Sequence, residues 1–227
     1  MPCVISAPSS GSGKTLLTLL LSAWAVKKGL RIQTFKVGPD YLDPQLLGAI
    51  SGRPCHNLDY ILCGENWVEN SFQKFGSETD LTLIEGVMGL FDGIGSSTNG
   101  STSELAKKLD IPIILVIDVN GQAASLAATI EGFKNRDKSI KIAGVVINNF
   151  KSNRHKELLE EVVSSIGMKL LGAIPKNNNF SIKTNYLGLE PAHELRNLNK
   201  LLSMWSELAI QYLDIEAFRT LMKPPKY

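Results

Sequence analysis

Cysteine is scarce in this sequence, no apolar run is long, and neither sign of charge is in clear surplus. The three cysteines, Cys3, Cys55 and Cys63, are odd in number and lack metal-ligand spacing. A disulfide framework and a cysteine-held metal are therefore both excluded as organising features. Cys3 opens an apolar strand, where a buried thiol is expected, and Cys55 with Cys63 reads as a reduced pair. No apolar stretch is long enough to cross a bilayer, and no N-terminal apolar segment precedes a cleavage site. These absences predict a soluble, cytoplasmic protein with no membrane partner. A net charge of +2 over 227 residues leaves no electrostatic footprint for nucleic acid. The run KNRDKSIK, Lys134 to Lys141, mixes signs as a solvated helix end does. Internal repeats and low-complexity segments are missing as well.

With 44% hydrophobic and 20% charged residues, the chain can fill one large core. Short apolar runs alternate with helical patterns. Cys3 to Ala7, Arg31 to Lys36, Leu81 to Glu85, Ile111 to Asp118, Lys141 to Asn148 and Lys169 to Ile174 read as strands. PIILVID and IAGVVIN are apolar on both faces, as a parallel sheet covered by helices requires. Helices are expected over Lys14 to Lys28, Thr102 to Leu109, Ala123 to Lys134 and Arg154 to Ile166. Two more are expected over Glu194 to Tyr212 and Ile215 to Met222. The alternation gives an α/β fold, a mostly parallel sheet with helices on both faces, and ligands at the carboxyl ends of its strands.

The first strand runs into SAPSSGSGKT, Ser6 to Thr15, and then directly into a helix. There the backbone N–H groups of Ser10, Gly11, Ser12 and Gly13 can turn inward around phosphate oxygens, aided by the helix N-terminus. Lys14 would reach the β- and γ-phosphates, and the Thr15 hydroxyl would bind Mg²⁺. The pattern implies a P-loop NTPase-type domain using ATP and Mg²⁺, although Pro8 replaces the first glycine of the usual loop. Ser9 stands where switch ATPases of this kind carry a second lysine, which counts against that class.

Two further strand ends are acidic. FKVGPDYLDP, Phe35 to Pro44, holds Asp40 and Asp43, and LIEGVMGLFDG, Leu83 to Gly93, holds Glu85 and Asp92. Beside a phosphate cradle such acids serve Mg²⁺ or the reacting groups. Singly each has a plainer reading, with Asp43 before Pro44 as a helix N-cap and Asp92–Gly93 as a turn.

Together with GSGKT, these loops closely resemble those of cobyrinic acid a,c-diamide synthases, relatives of dethiobiotin synthetase and cobyric acid synthase. The resemblance continues through PIILVIDVNGQAAS, GVVINNF, GAIPKNNNF and YLGLEPAHE. It departs at Pro8 and at SIKTNYLGL. It implies a dethiobiotin synthetase-like domain over residues 1–222, with 223–227 opening a linker. A glutamine amidotransferase domain would follow, and none of the three cysteines has a nucleophile-elbow context that could supply it. The implied reaction is ATP- and Mg²⁺-dependent amidation of two acetate side chains of cobyrinic acid through acyl phosphates. Ammonia would come from the glutaminase domain, and a homodimer is possible.

By the same resemblance, Lys14, Asp40, Asp43, Glu85 and Asp92 would be catalytic, and Thr15, Asp40 and Glu85 would surround the metal. Tyr41, Leu42 and Asp92 would meet the substrate, Tyr41 having core packing as its alternative. Asn148 would face the purine, or else cap a helix or turn. Asp118, Ser125, Lys176, His56, His155 and His193 are read as structural or surface residues. Rival readings are dethiobiotin synthetase, a synthase acting on another tetrapyrrole acid, and a regulatory switch ATPase.

Overall fold

In the computed structural model, which describes residues 1–177, 184–185, 188–189 and 198–226, the apolar runs become neighbouring strands of one sheet. These are β1 (Cys3–Ser6), β2 (Ile32–Val37), β3 (His56–Leu58), β4 (Leu81–Glu85), β5 (Ile113–Asp118), β6 (Ile142–Phe150) and β7 (Leu170–Pro175). Their order is β3-β2-β4-β1-β5-β6-β7, and every pairing is parallel. Along β1, β4 and β5 the side chains alternate between two cores. Cys3, Ile5, Leu83, Ile114 and Val116 enter one, while Val4, Ile84, Ile113, Leu115 and Ile117 enter the other. A period of two with both faces buried explains why these strands read as unbroken apolar runs.

Helices close both faces. On the first lie α1 (Lys14–Lys27), α2 (Leu42–Ser51), α8 (Leu198–Tyr212) and α9 (Ile215–Leu221). On the second lie α4 (Glu65–Ser77), α5 (Thr102–Lys108), α6 (Ser125–Arg136) and α7 (Asn153–Ser165). Helix α1 is buried over most of its circumference, because it contacts the sheet, α2 and α8 together. The α/β expectation holds, and the predicted strand and helix bounds lie within about two residues of the observed ones wherever they are described. Strand β3, the short α3 (Tyr60–Cys63) and helix α4 are additions. So is an antiparallel pair formed by β8 (Thr184–Asn185) and β9 (Gly188–Leu189). The segments SIKTNYLGL and YLGLEPAHE, with His193 and Glu194, fall wholly or partly outside the described residues.

From β1 the chain skips a place on one side to lay down β2, steps outward to β3 at the edge, and returns to place β4 between β2 and β1. It then crosses β1 to lay down β5, β6 and β7 on the other. Loops at the carboxyl ends of β1, β2 and β4 therefore meet near the point where the winding reverses. All three cysteines are free thiols, and burial pushes Cys3 and Cys55 up to about 12. No described helix is long and apolar enough to cross a membrane.

Candidate functional site

The loop after β1 wraps the start of α1. Gly11 and Gly13 adopt φ of 79° and 111°, a region that side-chain-bearing residues rarely enter. At Gly13 a Cβ would come within 2.4 Å of Asn148 Nδ2, so glycine is needed there for space as well as torsion. Ser12 Oγ donates to Ser9 O at 3.0 Å, tightening the turn. Lys14 is buried and reaches across the cradle, where Nζ donates to Met88 O at 2.6 Å and Ser9 O at 3.3 Å. Burial lowers its pKa. Lys36 acts in the same direction, and Glu85, Asp43 and Asp92 oppose it. The backbone of the acidic β4 loop is held against this cradle, with Gly86 N donating to Ile5 O and Leu90 N to Ala7 O, both at 2.8 Å.

Glu85 ends β4 with its side chain fully buried. Its Oε1 accepts from Thr15 Oγ1 at 2.7 Å and from Lys36 Nζ at 2.8 Å. Its Oε2 is buried without a hydrogen-bond partner. A carboxylate oxygen left unsatisfied beside a threonine hydroxyl is an oxygen donor set of the kind a hard cation takes. The residues present thus fit a Mg²⁺ ion that arrives with phosphate.

Lys36, near the end of β2, organises the acids. Its ammonium bonds Asp43 Oδ2 directly, and Asp40 Oδ2 lies 3.5 Å away. Burial acts to lower the Lys36 pKa, but Glu85 and Asp43 together outweigh it and raise it well above the usual lysine range. Asp43 is pushed upward, first by burial and then by the neighbouring Glu85 charge, with Lys36 pulling the other way. Sequence reasoning missed Lys36. The available signal was an ammonium within the apolar run IQTFKV, one that a buried strand tolerates only when the charge is paired.

The remaining predicted residues are placed as follows. Asp40 Oδ1 accepts from Leu42 N and Asp43 N at 3.0 and 3.2 Å, so Asp40, rather than Asp43, caps the start of α2. Asp43 lies in the first turn of that helix and points back to Lys36. Tyr41 is 77% exposed, which removes its core-packing alternative, and Leu42 is half-buried. Asp92 is exposed, and its Oδ2 accepts from Gly89 N at 2.8 Å, closing a turn over Gly89–Asp92 that lies ahead of the expected Asp92–Gly93 position. Asn148 is buried and its Nδ2 donates to Ser12 O at 3.0 Å. Its amide therefore braces the phosphate loop. Ser10 and Gly11 are exposed at the loop crest.

Several residues have structural duties. Asp118 accepts from Asn120 N and Asn149 Nδ2, His155 Nε2 pairs with Gln122 O, and His56 stacks on Phe75 at 4.0 Å.

Comparison with known proteins gives the family and the fold. The family described as CobQ/CobB/MinD/ParA nucleotide binding domain matches residues 3–186. A protein of Gloeobacter violaceus named cobyrinate a,c-diamide synthase is 41% identical over 215 residues, 94% of this chain and 48% of its own length. One of the same name from Clostridium tetani is 37% identical over 225 residues, 99% of this chain and 51% of its own length. The chain spans about half the length of the curated relatives it matches. Among solved structures, the MinC:MinD cell division protein complex of Aquifex aeolicus matches with a TM-score of 0.59 at 15% identity. That match covers 99% of this chain and 98% of the other, and it is a likeness of fold.

Proposed function

Because the chain belongs to the CobQ/CobB/MinD/ParA nucleotide binding domain family, we propose that it is an ATP-dependent carboxylate-activating unit. Its substrate would be cobyrinic acid, whose a- and c-acetate groups it converts to acetamides. The observation that carries this reading is the gathering of Asp40, Asp43 and Glu85 around Lys36, beside Lys14 and Thr15. A nucleotide switch has no need of so many acids, and Ser9 occupies the place of its second lysine.

In this reading the loop amides from Ser10 to Gly13 hold the phosphates. Lys14 exchanges the Met88 carbonyl for a phosphate oxygen. Mg²⁺, held by Thr15 and Glu85 with Asp40 at its edge, would neutralise charge on the transferring group. An oxygen of the acceptor carboxylate forms a bond to the γ-phosphorus as the bond to ADP breaks, giving an acyl phosphate. Ammonia then bonds to the acyl carbon, phosphate leaves, and the nitrogen loses a proton. Asp43, whose affinity for protons is raised by its surroundings, is suited to receive that proton. Asp92 would attract and orient ammonium from the opposite loop. Tyr41 and Leu42 would pack on the macrocycle. Ammonia would come from a glutaminase domain in the length that the relatives have and this chain does not span.

The test is mass spectrometry of cobyrinic acid incubated with this chain, MgATP and either ammonium or glutamine. Two successive amidations with ammonium and none with glutamine are expected. ATP binding with no amidation under either condition, even after a glutaminase domain is added, would overturn the reading.

A further inference from the structure

We propose that Lys36 is a positioning residue that stands in for the divalent metal at Glu85 until nucleotide arrives, so that metal binding waits on nucleotide binding. This rests on the reading above that Thr15 and Glu85 hold the metal. The Lys36 ammonium lies 2.8 Å from Glu85 Oε1, the same oxygen that accepts the Thr15 hydroxyl at 2.7 Å. A dication held by Thr15 and Glu85 would be close to that ammonium in a buried setting, where like charges repel strongly. Lys36 must therefore withdraw before the metal is seated.

The surroundings give it a place to go. Asp43 already bonds Lys36 directly and Asp40 lies 3.5 Å away, so the ammonium stays paired after it releases Glu85. Glu85 in turn is left ready for a ligand, because its Oε2 is buried and has no hydrogen-bond partner. Among the described residues, no group of three acids, histidines or cysteines converges into a metal site by itself. Seating the ion thus calls for phosphate oxygens as further ligands and for Lys36 to move aside. Nucleotide supplies the first, and its negative charge offsets the cost of the second. Without Lys36, three carboxylates would face Lys14 alone, and a cation would be attracted whether or not nucleotide were bound.

The experiment titrates Mn²⁺ by electron paramagnetic resonance into the 227-residue chain, with and without ATP. It is repeated on Lys36→Gln and Lys36→Gln/Asp43→Asn, each shown to be folded by circular dichroism. The double substitution removes one charge of each sign and serves where the single one fails to fold. The parent should bind Mn²⁺ tightly only with ATP. A folded variant should bind it without nucleotide at least about tenfold more tightly than the parent does, and adding Glu85→Gln should abolish that gain. A parent that binds Mn²⁺ equally well with and without ATP overturns the proposal, as does a folded variant whose nucleotide-free affinity is unchanged. Failure of the amidation reading shows elsewhere, as absence of product in the ammonium assay with these metal responses intact.

Discussion

Lys14 and Lys36 are both buried amines, yet their surroundings drive them in opposite directions. Lys14 contacts carbonyl oxygens, which do not offset its burial, and its pKa falls. Lys36 touches carboxylates, and its pKa rises. The stability that Lys36 lends through this raised value is full at neutral pH and is lost only as pH climbs through the folded-state value. Lys36→Met strands a buried Glu85 charge and should cost about 3–5 kcal/mol in chemical denaturation at pH 7.

Asp43 has the same sign from a different cause. Its folded pKa is raised by burial and by Glu85. Its contribution is therefore full below the ordinary carboxylate range and declines as pH rises through the folded value. Asp43→Asn is uncharged at every pH, so its melting temperature relative to the parent should improve between pH 4 and pH 7. Scanning fluorimetry at both pH values checks this, and a gap that is constant or narrows toward pH 4 contradicts it. At this scale the sequence displayed the acids, since carboxylates at strand ends are conspicuous. It concealed Lys36, whose role depends on partners 7 and 49 positions away in the chain.

At the level of elements, two junctions carry the site. One is the start of α1, where Gly13 fits against Asn148. Gly13→Ala places a methyl group 2.4 Å from the Asn148 amide at a φ of 111°. It should cost about 1–3 kcal/mol and remove ATP binding as read by equilibrium dialysis. The other is the start of α2, where Asp40 is both cap and acid. The two duties separate by substitution. Asp40→Asn keeps a capping oxygen, so melting should hold while amidation with ammonium falls. Asp40→Ala loses both, with about 1 kcal/mol from the cap alone. Equal melting losses for Asn and Ala would contradict the capping role.

Elements with strong periodicity were legible from the residues. The buried strands declared themselves by apolar runs, and α7 by the spacing of Leu159 and Val163. Strand β3 did not, because three residues at a sheet edge carry too little pattern. Helix α4 buries only Val68, Ser71, Phe72 and Gly76, a narrow stripe in a polar segment.

On the scale of the whole molecule, the sheet brings together loops far apart in sequence. Asn57, in β3, donates from Nδ2 to Gly38 O and Asp40 O, both at 2.7 Å, tying the β3 end to the acidic loop after β2. Asp59 then caps α3 by accepting from Ile61 N and Leu62 N. A Cβ on Gly100, in the loop after β4, would lie 3.2 Å from Ile61 Cγ1. Since β2 lies between β3 and β4, this close approach of the Gly100 backbone to Ile61 brings together the loops on either side of the Lys36 cluster. Ile61 and Leu62 nevertheless remain 53% and 71% exposed, and Tyr41 77%. Large apolar side chains held in water by a capped turn, on loops flanking a carboxylate cluster, suit a ligand with an apolar body and pendant acids.

If that body rests on them, their contacts are made equally in the ground and transition states. Truncation should then raise KM for the macrocyclic acid and leave kcat almost unchanged. Each lost apolar side chain is worth about 1.5–3 kcal/mol when fully buried, so Leu62→Ser should raise KM about tenfold or more, and Tyr41→Ser similarly. Steady-state kinetics with ammonium as nitrogen donor provide the measure, with ATP affinity as the control. A fall in kcat at constant KM would place these residues with the reacting groups, and no change in either would remove them from the substrate's path.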